Sequence, residues 1–242
     1  MINLSTIKDI RIKNQSVLRI WSGEQLLWEK VTSLLPKEYQ QLEYIDCTGT
    51  QYFDTGVRAS DYPGGIKYLF RGQVHGYKAA SNNNYLFGCL DSSKRSGNVS
   101  LHTTQKRILV YLGGSSTGLL VSAALPELNT DFELFLSAVS TDTTAATATL
   151  DGTALTRGNS GTKSDMPSAN IYLFYCSGVG TASQPFWGRF YSFTMDKPDG
   201  TPIRSFIPCR RKADSVIGVY DTVSNTFFTN IGTGSFAAGP EV

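Results

Sequence analysis

The sequence predicts an all-β chain closing into a two-sheet sandwich, and three observations carry that prediction. Apolar and polar residues alternate with period two along most of the chain, and the 3.6-residue period of an amphipathic helix is almost absent. The 12 Tyr and 13 Phe, set among abundant Gly, Ser, Thr and Asn, suit strands joined by short turns. Strand-like runs recur every ~8 to 15 residues with turn signals between them, as in sandwiches. A chain of 242 residues allows one large all-β domain or two small ones, with a sizeable core in the larger case. With 40% hydrophobic and 17% charged residues it belongs with folded chains, not disordered ones.

Residues 1–30 read as a small separate β-meander. Ile10 and Ile12 alternate with Arg11 and Lys13, and Asn14 to Ser16 turns. Val17, Leu18, Ile20 and Trp21 form a second run, and Leu26 to Trp28 a third after Ser22-Gly23-Glu24. Such a unit has little core and open edges, so it is expected to lie on the following domain, a symmetry mate or another protein. Residues 31–39 form a connector, where Pro36 interrupts any strand and SLLPKEYQQL has room for one helical turn. The main domain is placed at residues 40–242.

Within it, TGTQYFDTGV alternates between Gly49 and Gly56. Ile66 to Val74 sets Tyr68, Phe70 and Gly72 against Leu69, Arg71 and Gln73, and Ser81 to Asn84 reads as a loop. Tyr85 to Leu90, Val99 to His102 and Arg107 to Leu112 are further strands, and Gly113 to Gly118 is a turn. Asp131 to Val139 is a strong strand with Phe132, Leu134, Leu136 and Ala138 on one face. Asp151-Gly152 after Thr147 to Leu150 is a hairpin signal. Thr156 to Ala169 reads as a long polar loop, and Ile171 to Cys176 as a strand buried on both faces. Phe186 to Met195 places Trp187, Arg189, Tyr191 and Phe193 on one face. Ile203 to Ile207 alternates until Pro208 stops it. Ser215 to Asp221 and Thr226 to Thr229 make a hairpin about Thr222 to Asn225, with Tyr220 and Phe227 as candidate core residues.

Charge and cysteine usage narrow the function. A net charge of +2 and the lone basic triplet Arg210-Arg211-Lys212 favour a solvated loop over a nucleic-acid contact. MINLSTIKDI lacks the basic and apolar regions of a secretory signal, and no apolar run approaches the ~18 residues that span a membrane, so no membrane insertion is expected. Cys47, Cys89, Cys176 and Cys209 are scattered without a CxxC pair. They read as buried free thiols of a chain made in a reducing cytoplasm. With only His75 and His102 available, no zinc site is expected, and Asp54, Asp91 and Asp151 lack the spacing of a calcium loop. No cofactor and no metal are expected.

Two segments resemble a known family. IPCRRKADSVIGVYDTVSNTFFTNIGTGSF, within Ile203 to Gly239, is similar to the terminal segment of laminin-G-like, concanavalin-A-like jelly rolls. Those domains occur in phage and prophage virion proteins of gut bacteria. LPKEYQQLEYIDCTGTQYFDTGV, Leu35 to Val57, resembles the opening strand of the same domain. VLRIWSGEQLLWEK resembles small N-terminal modules of phage tail-associated proteins. The resemblance implies a jelly roll displayed on a virion. Other virion proteins would be met through residues 1–30 and a host-surface glycan by the loops. A tail-associated receptor binder would be a homo-oligomer, often a trimer. A head-decoration or head-fibre protein, or an architectural subunit with no ligand, remains the alternative.

Glycoside hydrolysis on this scaffold needs two carboxylates over one cleft. The Glu-x-Asp-x-(x)-Glu strand of the glucanases of this fold is missing. Asp131-Phe132-Glu133 comes nearest, on what reads as an exposed sheet edge. No base accompanies a Ser or Cys nucleophile, so no enzyme is expected. Sugar sites combine aromatic faces with amide or carboxylate groups. On that basis Tyr77, Asn82, Asn83, Asn84, Tyr85, His102 and Trp187 are the candidate ligand-binding residues. Against five of them stands a plainer role: a turn for Asn82 to Asn84, a satisfied or solvent-facing strand histidine for His102, core packing for Trp187.

Overall fold

A computed structural model describes residues 35–77, 83–91, 94–113, 119–138, 145–158, 166–178 and 184–242. It also describes the backbone of four short strands between residues 11 and 29. The strands run β1 (Arg11–Ile12), β2 (Gln15–Ser16), β3 (Arg19–Ser22), β4 (Gln25–Glu29), β5 (Tyr39–Gln41), β6 (Ile45–Thr48), β7 (Phe53–Arg58) and β8 (Ile66–Val74). They continue with β9 (Asn83–Asp91), β10 (Lys94–His102), β11 (Arg107–Gly113), β12 (Leu120–Val121), β13 (Asp131–Ala138), β14 (Thr147–Leu150), β15 (Thr153–Ala154) and β16 (Thr156–Arg157). The last are β17 (Asn170–Leu173), β18 (Gln184–Pro185), β19 (Trp187–Asp196), β20 (Pro202–Arg211), β21 (Ile217–Asp221), β22 (Thr226–Phe228) and β23 (Ala237–Ala238).

Two sheets form the main body. The first has the order β16-β12-β11-β10-β9-β17-β7, with β18 alongside β9. The second has the order β15-β14-β13-β8-β19-β20-β21-β22, with β5 beside β20, β6 beside β19 and β23 beside β6. Strand pairing is antiparallel except between β18 and β9. Aromatic rings join the sheets: Phe87 of the first lies 5.2 Å from Tyr68 and 4.9 Å from Phe193 of the second, centroid to centroid. This is the all-β, two-sheet sandwich that the sequence predicts. The two segments that carry the family resemblance lie against each other. Ile231 N donates to Tyr52 O, Thr233 N to Thr50 O, and the Gln51 amide to Ser235 O.

Several local expectations change. The N-terminal stretch forms two tight hairpins, β1–β2 and β3–β4, where one three-stranded meander was expected. Residues 15–16 pair antiparallel with 11–12, and 25–29 with 19–22. The helical turn expected near Pro36 is a tight turn closed by Tyr39 N on Pro36 O, and β5 begins inside the connector. Asn83 and Asn84 belong to β9, and Thr156 and Arg157 pair with β12, so both predicted loops are shorter. In the segment from Ile171, Ile171, Leu173, Phe174 and Cys176 are buried as expected, but Tyr172 stacks outside on Tyr52. The predicted turn at Gly113 to Gly118 lies mostly outside the described residues.

Pro208 does not end its strand. β20 runs through it to Arg211. Its carbonyl accepts from Leu42 N, so its missing N–H falls on the same side, where β19 gives way to β5 and no ladder bond is lost. Tyr220 is buried as expected and Phe227 half-buried, but both lie on the outer face of the second sheet, apart from the main core cluster. Tyr39 covers both, at 4.8 and 5.2 Å, and Arg211 stands over Phe227. The core residues of this region are Phe206 and Val219, with Phe228 edge-on to Phe206. The basic triplet is largely ion-paired, Arg210 with Glu241 and Arg211 with Asp214. All four cysteines are buried free thiols. Burial pushes Cys209 up to about 12 and Cys47 well above its usual value, so both resist becoming thiolates.

The closing hairpin is pinned by Asp221, whose side chain is wholly buried. It accepts from Ser205 N, Val223 N, Ser224 N and the Ser224 hydroxyl, with Arg204 Nε 3.5 Å away. Asp221→Ala should therefore cost about 3–5 kcal/mol, because four donors and a guanidinium lose their acceptor inside the fold. Phe206→Ala should cost about 3–5 kcal/mol and Phe227→Ala about 1–2, reflecting core and half-covered positions. Urea unfolding of the three variants checks both statements, and equal losses at Phe206 and Phe227 would contradict the assignment of faces.

Candidate functional site

A band of polar and aromatic side chains crosses the outer face of the second sheet, and strand register builds it row by row. Asp131 on β13 faces Gln73 on β8, Gln73 faces Arg189 on β19, and Arg189 faces Asp46 on β6. One row away, Glu133 faces Arg71. On the other side of the Asp131 row, the His75 N–H donates to the Trp187 carbonyl. The core-facing neighbours of these residues, Phe132, Leu134, Phe70, Phe190, Ile45 and Cys47, are buried, so the alternation of each strand turns the polar set outward.

β19 departs from simple alternation at the centre of the band. Its pairing with β8 slips between Phe190 and Ser192, a β-bulge that leaves Tyr191 as the extra residue. Phe190 and Phe193 both enter the core as a result, whereas the sequence placed Phe193 on the face of Trp187, Arg189 and Tyr191. Trp187, Arg189 and Tyr191 stay outside.

The side chains are tied together. The Tyr191 hydroxyl and the Gln73 amide both donate to Asp131 Oδ1, at 2.8 and 2.9 Å. Gln73 Oε1 lies 3.1 Å from His75 Nε2. Arg189 Nε is 3.4 Å from Asp46 Oδ1, and its guanidinium stands 4.3 Å over the Tyr44 ring, which meets Tyr191 edge-on. Arg71 Nε donates to Glu133 Oε2 at 2.7 Å, and Glu133 N donates to Asp151 Oδ1 at 2.8 Å. Arg71, Asp131, Phe132, Glu133, Asp151 and Tyr191 line a cleft of ≈ 350 Å³. A larger cleft of ≈ 450 Å³ lies between residues 214–217 and the closing loop. Its one carboxylate, Asp214, is already held by Arg211 through two nitrogens, so the band carries the richer chemistry.

Asp131 and Glu133 are not on a free-running edge strand. β8 flanks β13 along its whole length, and β14 covers the other side from Leu134 onward. Glu133 is also held on that side, its N–H donating to Asp151 Oδ1 and its carbonyl accepting from Asp151 N.

The predicted ligand residues divide into three groups. Asn83, Asn84, Tyr85 and His102 come together at one end of β9 and β10, where Asn83 faces His102. Asn83 accepts from the Ser100 hydroxyl, Asn84 and Tyr85 are buried, and His102 Nδ1 accepts from Gln105 N in its own turn. Burial lowers the His102 pKa. Trp187 is 36% exposed and borders the band, with its ring against Gly76, where a Cβ would lie 2.7 Å from it. Tyr77, next in the chain, packs half-buried on the core. Asn82 lies outside the described residues. Tyr44, Asp46, Arg71, Gln73 and His75 were not foreseen. The alternation of β8 signals Arg71 and Gln73 as outward-facing, but nothing local says which strand stands beside them. Among the described residues no group of three or more His, Cys, Asp or Glu is arranged to hold a metal ion.

No protein-family model matches the chain, and no curated protein does. Among solved structures the chain is similar to the native heptameric SAP-like pentraxin from Limulus polyphemus. The identity is 9% and the TM-score 0.46, over 85% of this chain and 91% of that one. A likeness of that size transfers no residue and no activity.

Burial, then the hydrogen bond to Asp131 and its charge, push Tyr191 from the ordinary 10.0 up to about 12, against a lowering by Arg189. A raised folded-state value means that stability from this group is full below about pH 10 and is lost as pH rises through 12, because the unfolded tyrosine ionises first. In Asp131→Asn the Tyr191 value should fall but stay above 10, since burial persists. Carbon-13 NMR titration of the tyrosine ring checks this, and an unchanged value would remove Asp131 as a cause.

Proposed function

We propose that the chain is a non-enzymatic adhesion protein of a phage particle that binds a host-surface glycan through the outer face of its second sheet. The observation that carries the glycan reading is the band itself. Tyr44 and Tyr191 offer aromatic edges and faces to a pyranose ring. Around them Arg71, Arg189, Asp131, Glu133 and Asp151 supply donors and acceptors for hydroxyl groups. Trp187 extends the aromatic border. The virion setting rests on the sequence resemblance of Leu35 to Val57 and Ile203 to Gly239. Within it, residues 1–30 serve as the anchor to other virion proteins.

A depolymerase is the less favoured reading. Asp131 Oδ1 already accepts two protein donors, and Glu133 is paired with Arg71. A glycosidase needs one carboxyl free to hand a proton to the leaving oxygen.

Binding of the full chain to host-surface polysaccharide should weaken at least about tenfold in Tyr191→Ala and Arg189→Ala, a loss of about 1.4 kcal/mol or more. Thermal melting of each variant separates lost binding from lost folding. Wild-type affinity in both variants, with the fold intact, would move the site elsewhere. Immunogold labelling of particles with antibody to residues 40–242 tests the setting. Gold at the tail tip fits host attachment, gold over the head fits a decoration or head-fibre role, and unlabelled particles would end the virion reading.

A further inference from the structure

The cleft within the band is strongly acidic for its size. Its lining holds three carboxylates, Asp131, Glu133 and Asp151, and one guanidinium, Arg71, so its formal charge is 1 − 3 = −2. Adding the Asp46–Arg189 pair next to it leaves that sum unchanged, 2 − 4 = −2. The chain as a whole carries +2, so the band is a local inversion of sign. Arg71 Nε already donates to Glu133 and Arg189 lies beside Asp46 and over Tyr44, so each cation already faces a carboxylate of the band and the surplus charge is negative. Asp131 and Glu133 also share the outward face of one strand, two residues apart, which concentrates the negative charge.

We infer that the cleft selects by charge. It takes neutral or amine-bearing sugars and rejects glycans carrying uronate, sialate or phosphate. This rests on the glycan reading above and specifies the ligand class of that same site. The hydroxyls of a neutral pyranose donate to the carboxylates, and the aromatic wall takes the ring face. An added anionic group loses its water and meets like charge, which is how binding sites exclude close relatives of their ligand. The repulsion is an exposed electrostatic effect and must be screened by salt.

The test uses the full chain against matched oligosaccharide pairs, one neutral and one bearing uronate, sialate or phosphate on the same backbone, with affinities measured by biolayer interferometry. Neutral members should bind at least about tenfold tighter at low salt. The gap should shrink as the screening length falls from ~10 Å at 0.1 M salt to ~3 Å at 1 M. Glu133→Gln and Asp151→Asn should each narrow it at low salt. The salt series on the unaltered protein reads the same effect if either variant fails to fold. Equal or tighter binding of the anionic members would overturn the charge selection while leaving glycan binding in place. Binding of neither class would overturn both.

Discussion

Phe70 on β8 is the contact on which the sandwich depends. Its ring meets Phe87 of the opposite sheet at 6.3 Å and Phe132, Phe186, Phe190 and Phe193 at 5.6 to 6.3 Å. Phe190 and Phe193 sit three apart on one strand, and in regular β geometry residues three apart point to opposite faces. Both reach Phe70 only because β19 bulges at Tyr191. Burying a phenyl ring stabilises by about 1.5–3 kcal/mol, and a missing ladder hydrogen bond costs about 0.5–1.5, so the core wins and the bulge is kept. The extra residue has nowhere to go but outward. The demand of the core for two phenylalanines thus sets Tyr191 beside Asp131 on the outer face.

The same seam fixes how closely the polar rows of the band approach. At Gly188 a Cβ would lie 1.9 Å from the Gln73 carbonyl oxygen, so only glycine lets β19 run against β8 at that point. Gln73 and Arg189 are opposed as a consequence, with Asp131 and Asp46 on their far sides. Any larger residue at position 188 would force the strands apart and separate the two carboxylate ends of the row. Core packing and outer-face chemistry are therefore coupled through backbone geometry, without any side chain linking them.

Much of the fold was legible because it is local. The Asp151-Gly152 turn has both residues at positive φ, 49° and 75°, as its sequence implied, and the β21–β22 hairpin forms about Thr222 to Asn225. The errors came where tertiary demands override a local rule. Alternation placed Phe193 outside because a bulge leaves no mark in the pattern. Pro208 read as a strand end because its open N–H side depends on where β5 stops and β19 begins. Tyr220 and Phe227 read as core because hydrophobicity reports burial but not which layer covers a residue, and here the cover is Tyr39. The band was the least legible part. Its members come from β6, β8, β13 and β19, with Tyr44 and Asp151 from adjoining segments, and they span more than a hundred residues of sequence. Each is an ordinary outward-facing side chain until register brings them into rows.

Stability does not account for that arrangement. The ion pairs of the band are partly exposed, Arg71 and Glu133 at 55% and 44%, and such pairs contribute about 0–1 kcal/mol each. Four carboxylates on one face repel one another, and the two guanidiniums present leave the sum negative. Threonine at positions 131, 133 and 46 would occupy the same sheet with less repulsion and suit β geometry better. Elsewhere the fold places a carboxylate where it is structurally required and surrounds it fully, as with Asp221 and its four donors. The carboxylates of the band keep an open cleft in front of them instead. An acidic, aromatic-walled surface that adds little to the fold's own stability is the ground on which the proposed glycan contact rests.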